Sequence, residues 1–498
     1  MYDVVIIGGG IVGVATAREL SRYHLKVLLI ERGADVAVGA TKANSGILHA
    51  GYDCRPGTLK AELNLRGAKM YPRLAAELDI PCRINGSLVV STDDEGIKKL
   101  GDLYEQGKKN GVTGLKLLSA NQVKTLEPNL TDSVTGALQA ATAGIISPYE
   151  AGIAFAENAA INGVEFLLET EVTGIDAESN GGFSIQTAMR PGRYTAVWGF
   201  QMSRDDLVSG VVRAKVIINA AGVESATIHN YVIHCAKGII KEAIIPQLGQ
   251  YYLLDNTQQG LVGHTIFQLP TQLGKGVLVV PTVDNNILLG PTAESLDDRV
   301  ATETTSDGLK DVLEKAGHVL KTVPIHDRIT AYAGIRAKHS GKDFIIEEVL
   351  PGFISALGID SPGLTAAPAI AERIVGLVAV RLQPTLNHDF RPQRIGIKGF
   401  ANMSAAERAT MINENPAYGR VVCRCETVTE AEIVEAIHRP VGARNLDAIK
   451  RRTRAQMGRC QGGFCKTRLI ELLARELSLP ETEVTADGAG TEFYFSQA

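Results

Sequence analysis

The chain opens with a strand, a glycine-rich turn and a helix in direct succession, and this arrangement limits the folds open to it. Residues 2–7 (YDVVII) are an apolar run of strand length, 11–22 (IVGVATARELSR) carry apolar side chains at helical spacing, and 25–30 (LKVLLI) form a second strand. The turn holds Gly8-x-Gly10-x-x-Gly13, and Glu31 closes the second strand. Glycines there permit a tight turn, close approach of the backbone to a pyrophosphate, and direct helix–strand packing. The first N–H groups of the helix then face the phosphates, and Glu31 can accept hydrogen bonds from ribose hydroxyls. A dinucleotide site in an α/β fold is expected; the fingerprint alone does not separate FAD from NAD.

At 498 residues the chain exceeds a single core, so several domains are expected. Apolar residues at 45%, charged residues at 21% and 51 glycines suit a soluble α/β protein and exclude extensive disorder. A net charge of -4 gives no basis for nucleic-acid binding. The start MYDVVIIGGG has neither a basic n-region nor an Arg-rich presequence, and no run of about 18 uncharged apolar residues is evident, so a cytoplasmic location is expected. Of seven cysteines, Cys54, Cys82 and Cys235 are scattered and four cluster between 423 and 465. An odd, clustered set argues for a metal or redox site in a reducing compartment.

Helical character is expected at 58–80, 94–110 and 149–162, with SLVVST (87–92) between the first two. Residues 176–216 alternate as a meander and end in VVRAKVIINAAG. Between 245 and 295, QYYLLD, HTIFQL, GVLVVPT and NNILLGPT predict an antiparallel sheet; RITAYAGIRAK, DFIIEEV and GFISALG add strands. A long helix is expected over 361–380, and residues 384–417 read as a linker or wrapping arm.

Residues 40–51 (ATKANSGILHAG) carry Thr41, Asn44 and Ser45, which can line a flavin phosphate and ring edge. INAAG (218–222) and GIDSPGLT (358–365) supply two further close backbone approaches, the second before a helix whose positive end can stabilise charge on a reduced flavin. The order GGGIVG, NSGILHAG, INAAG, AGIR and SPGLT resembles the FAD-dependent oxidoreductases of the D-amino-acid-oxidase type, in particular glycerol-3-phosphate dehydrogenases and L-2-hydroxyglutarate oxidases, over about residues 1–383. The resemblance implies an α/β (α+β) architecture: a Rossmann-like FAD-binding domain (about 1–80, 140–230 and 327–383) interleaved with an antiparallel-sheet substrate domain (about 81–139 and 231–326). The FAD-contacting set expected from motifs and resemblance is Gly8, Gly10, Gly13, Glu31, Arg32, Thr41, Asn44, Ser45, Gly46, Val172, Ala221, Gly222, Gly334, Gly358, Gly363, Leu364 and Thr365.

Oxidising a secondary alcohol requires removal of the hydroxyl proton and of a hydride, so a base and an anion-holding group should flank the flavin. His49 in LHAG matches the histidine of both families, as base or as hydrogen-bond partner, and Arg336 in YAGIRAK suits bidentate capture of a phosphate or carboxylate. Tyr52, Tyr252 and Lys338 are further substrate-side candidates. Glycerol-3-phosphate enzymes usually carry SSK-x-IHGG-x-RY, whereas NSGILHAGYDCRPGTLKAEL, with Tyr52-Asp53-Cys54-Arg55 after the glycine, leans toward the 2-hydroxy-acid group.

Cys423-x-Cys425 and Cys460-x4-Cys465 form two close pairs in sequence. Four thiolates suit zinc or an iron–sulfur cluster, and a flavoprotein favours the redox-active choice. From Arg439 to Arg468 there are nine Lys/Arg residues against one acid, Asp447, which predicts a basic shell around a negatively charged cluster or a docking patch for an acidic partner. CRCETVTEAEI, RTRAQMGRCQGGFC and the preceding FANMSAAERATMINENPAYGR resemble the bacterioferritin-associated-ferredoxin type of [2Fe-2S] domain at the end of the anaerobic glycerol-3-phosphate dehydrogenase large subunit. That resemblance covers residues 418–484, leaves a tail at 485–498, and returns the substrate expectation to glycerol 3-phosphate, oxidised to dihydroxyacetone phosphate. It implies electron-accepting partner subunits, with peripheral membrane association through such a partner. The rivals are a 2-hydroxyglutarate-type dehydrogenase and an electron-transfer subunit without substrate chemistry of its own.

Overall fold

The computed structural model describes residues 1–179, 181–189, 210–269 and 276–494, with the backbone of 197–198. The remainder of the predicted 176–216 meander, at 180, 190–196 and 199–209, lies outside the described residues.

β1 (Tyr2–Ile7), α1 (Ile11–Leu20) and β2 (Val27–Ile30) form the expected βαβ unit with parallel strands. β3 (Ile47–Leu48) and α2 (Leu59–Leu78) follow, and α3 (Pro148–Ile161) leads into β4 (Glu165–Leu167), parallel to β2. β5 (Val211–Asn219) lies on the other side of β1. After an excursion through β6 (Ile244–Leu254) and β7 (Arg328–His339), the chain returns as β8 (Phe353–Leu357), parallel to β5, and continues into α4 (Gly363–Leu382). The parallel order β4-β2-β1-β5-β8 places a crevice at the carboxyl ends of β1 and β5, where open α/β sheets bind ligands. The runs VVII and VLLI are buried throughout, as parallel strands covered on both faces must be. α4 is the one helix among the described residues with the length and apolarity of a membrane span, and here it packs against α1 and α2 in the core.

The second sheet is built on β6 and β7, antiparallel from Ile244 opposite His339 to Leu254 opposite Arg328. It continues through Ile287–Gly290, Leu278–Pro281, Thr265–Gln268 and Ser87–Ser91. The predicted antiparallel sheet is present with one difference: Thr265–Gln268 runs parallel to Ser87–Ser91. The expected return to the dinucleotide part at 327 is corrected. β7 is hydrogen-bonded to β6 along its whole length, so the chain re-enters the first sheet only at Ile345–Leu350, beside β8.

Residues 384–396 run across the first sheet's helices. Asn158 Nδ2 donates to the carbonyls of Arg391 and Gln393, and Arg394 pairs with buried Glu157 at 2.6 Å. A helix over Ala405–Glu414, started by a Ser404–Glu407 capping box, interrupts the stretch expected to be irregular. Beyond a short hairpin (Val421–Cys423 with Val428–Thr429), α5 (Glu430–His438), α6 (Leu446–Thr453) and α7 (Lys466–Leu477) enclose a separate small core of Ile433, Ile437, Ile449, Leu469 and Leu473. Residues 485–492 of the expected tail fold back, with Thr485 bridging Glu492 and Asp487 paired to Lys42 at 3.0 Å, while 495–498 lie outside the described residues.

Candidate active site and cysteine cluster

The crevice is shaped by backbone proximity. Gly8 has φ +108°, and a Cβ there would lie 2.5 Å from the Ala220 carbonyl; one at Gly13 would lie 1.9 Å from the Gly8 carbonyl. Only glycine permits β1, β5 and α1 to meet so closely. α1, entered from Gly10, and α4, entered from Pro362, have no side-chain N-cap, whereas Thr58 caps α2, Thr429 caps α5 and Asn445 caps α6. α1 gives its first N–H, of Ile11, to Thr41 Oγ1; the N–H groups that follow, and those at the start of α4, meet no capping side chain and can serve an acceptor from outside the chain. Gly222 (φ +58°) faces open space. Glu31 is buried and fixed, its two oxygens accepting from Gly9 N (2.6 Å) and Gly33 N (2.7 Å). Arg32 pairs with Glu224 at 3.3 Å, Val172 is buried beside the crevice strands, and Ala221 N donates to Asn219. Glycine close approaches, two uncapped helix ends and an ordered carboxylate fit FAD.

The 41–49 segment is tied down on three sides. Thr41 Oγ1 accepts from Ile11 N at 3.0 Å, and Asn44 bonds the loop internally, donating to Ala40 and Thr41 carbonyls and accepting from Gly46 N. Ser45 is partly buried next to it. A Cβ at Gly334 would lie 2.2 Å from the Ala43 carbonyl, so β7 presses on this loop at that glycine. At the third side Thr365 Oγ1 accepts from His49 N (2.9 Å) and donates to the Ile47 carbonyl (3.2 Å), joining β3 to the start of α4. Tyr71 donates to the Leu364 carbonyl at 2.7 Å, Gly363 opens α4, and Gly358 (φ +68°) abuts His339.

The His49 ring is partly buried, 5.7 Å from the Phe267 ring. Burial lowers its pKa, against the opposing field of Asp53, so the imidazole is neutral near pH 7 and able to take a proton. Tyr52 is buried edge-on to the same Phe267 (6.3 Å), and burial raises its phenol out of the titrating range. Arg336 shares a face of β7 with Gly334 and Tyr332. It donates to Gln247 Oε1 (3.2 Å) and the Thr292 carbonyl (3.1 Å), leaving donors of its fork free of those bonds; Lys338 follows on the same face.

Tyr252 requires correction. The register sets it opposite Ala331, on the face packed into the core with Leu254 and Val312, away from the 41–49 loop. Its neighbour Tyr251 faces the loop, stacked on Tyr332 at 4.9 Å and 17°, and Tyr332 donates to the Asn44 carbonyl at 3.2 Å. Phe267, beside His49, and the stacked Tyr251 and Tyr332, which face the loop, were missed; for Tyr332 the two-residue period of YAGIR, which puts it with Gly334 and Arg336, was the available signal.

The cysteines pair across the motifs rather than within them. Cys425 and Cys460 sulfurs are 3.4 Å apart, and Cys465 hydrogen-bonds Cys423. That bond, with N–H groups of Gln456 and Glu426, holds Cys423 down at about 6 despite burial. N–H groups of Gly462, Gly463 and Phe464 donate to Cys460, and α7 begins at Cys465 without a side-chain cap. Among the described residues no three His, Cys, Asp or Glu side chains converge on one point. Two separated thiol pairs fit a [2Fe-2S] cluster, two thiolates to each iron, better than one tetrahedral zinc.

The expected basic shell is corrected in part: five of the nine cations, Arg439, Arg451, Arg452, Arg454 and Arg459, bind carboxylates outside the cluster domain, while Arg454 also reaches Glu426 beside Cys425 and Arg468 pairs with Glu430 and Glu471 within the domain. Arg452 forks onto Asp35 (2.7 and 2.8 Å), Arg451 joins it at 2.8 Å, and all three side chains are buried. Arg439 grips Glu157 at 2.7 Å, Arg454 pairs with Asp284 at 2.6 Å, and Arg459 with Asp255 at 3.1 Å. Burial alone would raise Asp35, but Arg452 and Arg451 hold its carboxyl down at about 2.

Residues 3–377 match the family described as FAD dependent oxidoreductase, and residues 421–475 match the BFD-like [2Fe-2S] binding domain. The glycerol 3-phosphate dehydrogenase of Caloramator mitchellensis is 46% identical over 99% of this chain and 98% of its own. The glycerol 3-phosphate oxidase of Mycoplasma pneumoniae is 32% identical over 76% of this chain and 95% of its own. The solved structure of dithionite-reduced L-alpha-glycerophosphate oxidase from that organism, with FAD bound, superimposes with a TM-score of 0.70 at 30% identity, covering 79% of this chain and 98% of that one. With its crevice, thiol pairs and two matched regions, the chain belongs to the FAD-dependent oxidoreductase family and carries FAD together with a [2Fe-2S] cluster in a BFD-like domain.

Proposed function

We propose that this protein oxidises the C2 hydroxyl of glycerol 3-phosphate to the ketone of dihydroxyacetone phosphate and passes the electrons out through its [2Fe-2S] cluster. The observation that carries this reading is the 46% identity to a glycerol 3-phosphate dehydrogenase across both the flavin part and the cluster domain. FAD supplies the acceptor of the C2 hydride. The chain supplies the rest. His49, kept neutral by burial, takes the hydroxyl proton at an imidazole nitrogen or orients the hydroxyl for its loss. Arg336 offers a planar fork to the phosphate, with Lys338 adding charge. Phe267 packs beside His49, with Tyr52 edge-on behind it, and limits water there.

The electrons leave toward a partner subunit. Cys425 is exposed, and Phe464, between Cys460 and Cys465, is 87% exposed, an apolar contact at the cluster's outer edge. We place the protein in the cytoplasm, where such a partner can hold it at a membrane surface.

Dye-linked turnover with purified protein tests the substrate. Glycerol 3-phosphate should be oxidised, and L-2-hydroxyglutarate should be much poorer. Faster oxidation of the hydroxy acid would overturn the substrate, and no turnover of any small alcohol or acid would favour an electron-transfer subunit.

A further inference from the structure

Among the contacts between the flavin part and the cluster domain, one lies between the flavin loop and the cysteine-bearing segment. The Tyr149 hydroxyl, at the start of α3, donates to Met457 Sδ at 3.7 Å. Toward the flavin, Tyr149 lies three residues beyond Ile146, whose N–H donates to the Gly46 carbonyl at 2.8 Å. A Cβ at Gly46 would sit 2.6 Å from the Ile146 carbonyl, so these two segments are in direct backbone contact. Toward the cluster, Met457 lies three residues before Cys460, and Gly458 is pressed against Cys425, where a Cβ would come within 2.4 Å. This path from the flavin loop to the segment that carries Cys460 and touches Cys425 crosses one non-covalent side-chain contact.

Arg454 clamps this seam. It pairs with Asp284 of the second sheet at 2.6 Å and with Glu426, next to Cys425, at 2.8 Å, and it donates to Asn286 at 3.2 Å. Beside the contact lies a cavity of about 370 Å³, lined among others by Ser45, Gly46, Tyr332, Tyr149, Arg454 and Met457. The cavity reaches from the flavin-loop residues Ser45 and Gly46 to Met457, and the Tyr149–Met457 contact lies in its wall.

We propose that electrons pass from the flavin to the cluster across the Tyr149–Met457 contact, with Arg454 as the positioning residue that sets the width of the gap. The proposal rests on the function above only in needing a reduced flavin. In each crossing the flavin gives up one electron and one ferric ion of the cluster becomes ferrous; the cluster passes that electron to the external acceptor before taking the second, and by the second crossing the reduced flavin has also released its N5 proton to solvent on its own side, which restores oxidised flavin.

The test is anaerobic rapid mixing of the holoenzyme with glycerol 3-phosphate, following flavin absorbance and, in frozen samples, the electron-spin signal of the reduced cluster. In Met457→Ala, flavin bleaching should keep its parental rate while cluster reduction slows by about tenfold or more, because truncation leaves a void across the seam. Met457→Leu, which conserves volume, should stay within about threefold of the parent. Cluster reduction at the parental rate in Met457→Ala, with both cofactors bound, would overturn the route. So would a change in cluster midpoint potential large enough to explain the slowing. If Met457→Ala loses its cluster, Tyr149→Ala takes its place with the same two readings. If glycerol 3-phosphate fails to bleach the flavin, the substrate assignment fails, and photoreduction with deazaflavin delivers electrons for the same comparison.

Discussion

The flavin part and the cluster domain hold their cofactor positions by different means. In the first, apolar strands and glycines bring backbones together: Gly8 on Ala220, Gly13 on Gly8, Gly334 on Ala43. In the second, a core too small to orient itself on a large neighbour is fixed by buried charges, with Asp35 taking Arg451 and Arg452, and Glu157 taking Arg439. Apolar packing is indifferent to small slides, whereas a forked arginine–carboxylate pair has one good geometry. A domain that must present a cluster to a flavin gains orientation from such pairs more than stability.

The sharpest break between the two regions is Cys460→Ser. It should abolish the cluster's absorbance and iron while leaving flavin bound at full stoichiometry; loss of both would mean that the regions do not form separate cofactor sites. Next, Asp35→Ala leaves buried Arg452 without a carboxylate partner and Arg451 with Asp447 at 3.7 Å, and should cost about 3–5 kcal/mol in denaturant unfolding. A cost near zero would show that the ionic seam is not what fixes the domain.

Glu150, beside Tyr149, is pushed up to about 7 by burial, with Asp284 adding to the rise. Its raised pKa means that the fold prefers the protonated acid, so its contribution is complete below the ordinary value of 4.5 and is lost as pH rises through about 7. Glu150→Gln should therefore gain about 2 kcal/mol at pH 8 relative to pH 5, read from melting curves at both values. Arg336→Lys should raise KM for glycerol 3-phosphate by about tenfold through loss of the planar fork, with flavin content unchanged. The smallest effect is expected for Tyr252→Phe, within about 0.5 kcal/mol and without kinetic change, because the ring faces away from the loop.

The βαβ unit was legible because glycine spacing and strand apolarity are local signals, and the four cysteines because their residue type and spacing carry the chemistry. What the residues could not reveal was pairing over distance. β7 looked like part of the dinucleotide fold until its register with β6 assigned it elsewhere. Tyr252 and Tyr251 are indistinguishable until a sheet has two unequal faces. The basic run from Arg439 to Arg468 read as a cluster shell because its partners, Asp35, Glu157, Asp255 and Asp284, lie far away in sequence.

The central claim is that one chain couples alcohol oxidation at a flavin to a one-electron exit. An anaerobic visible spectrum of the purified protein, with iron and flavin determined on the same sample, tests it before and after glycerol 3-phosphate is added. Bleaching of the flavin band together with partial loss of iron–sulfur absorbance is the predicted result. A flavin that stays oxidised, or one that bleaches while a fully loaded cluster remains oxidised, would contradict the coupling.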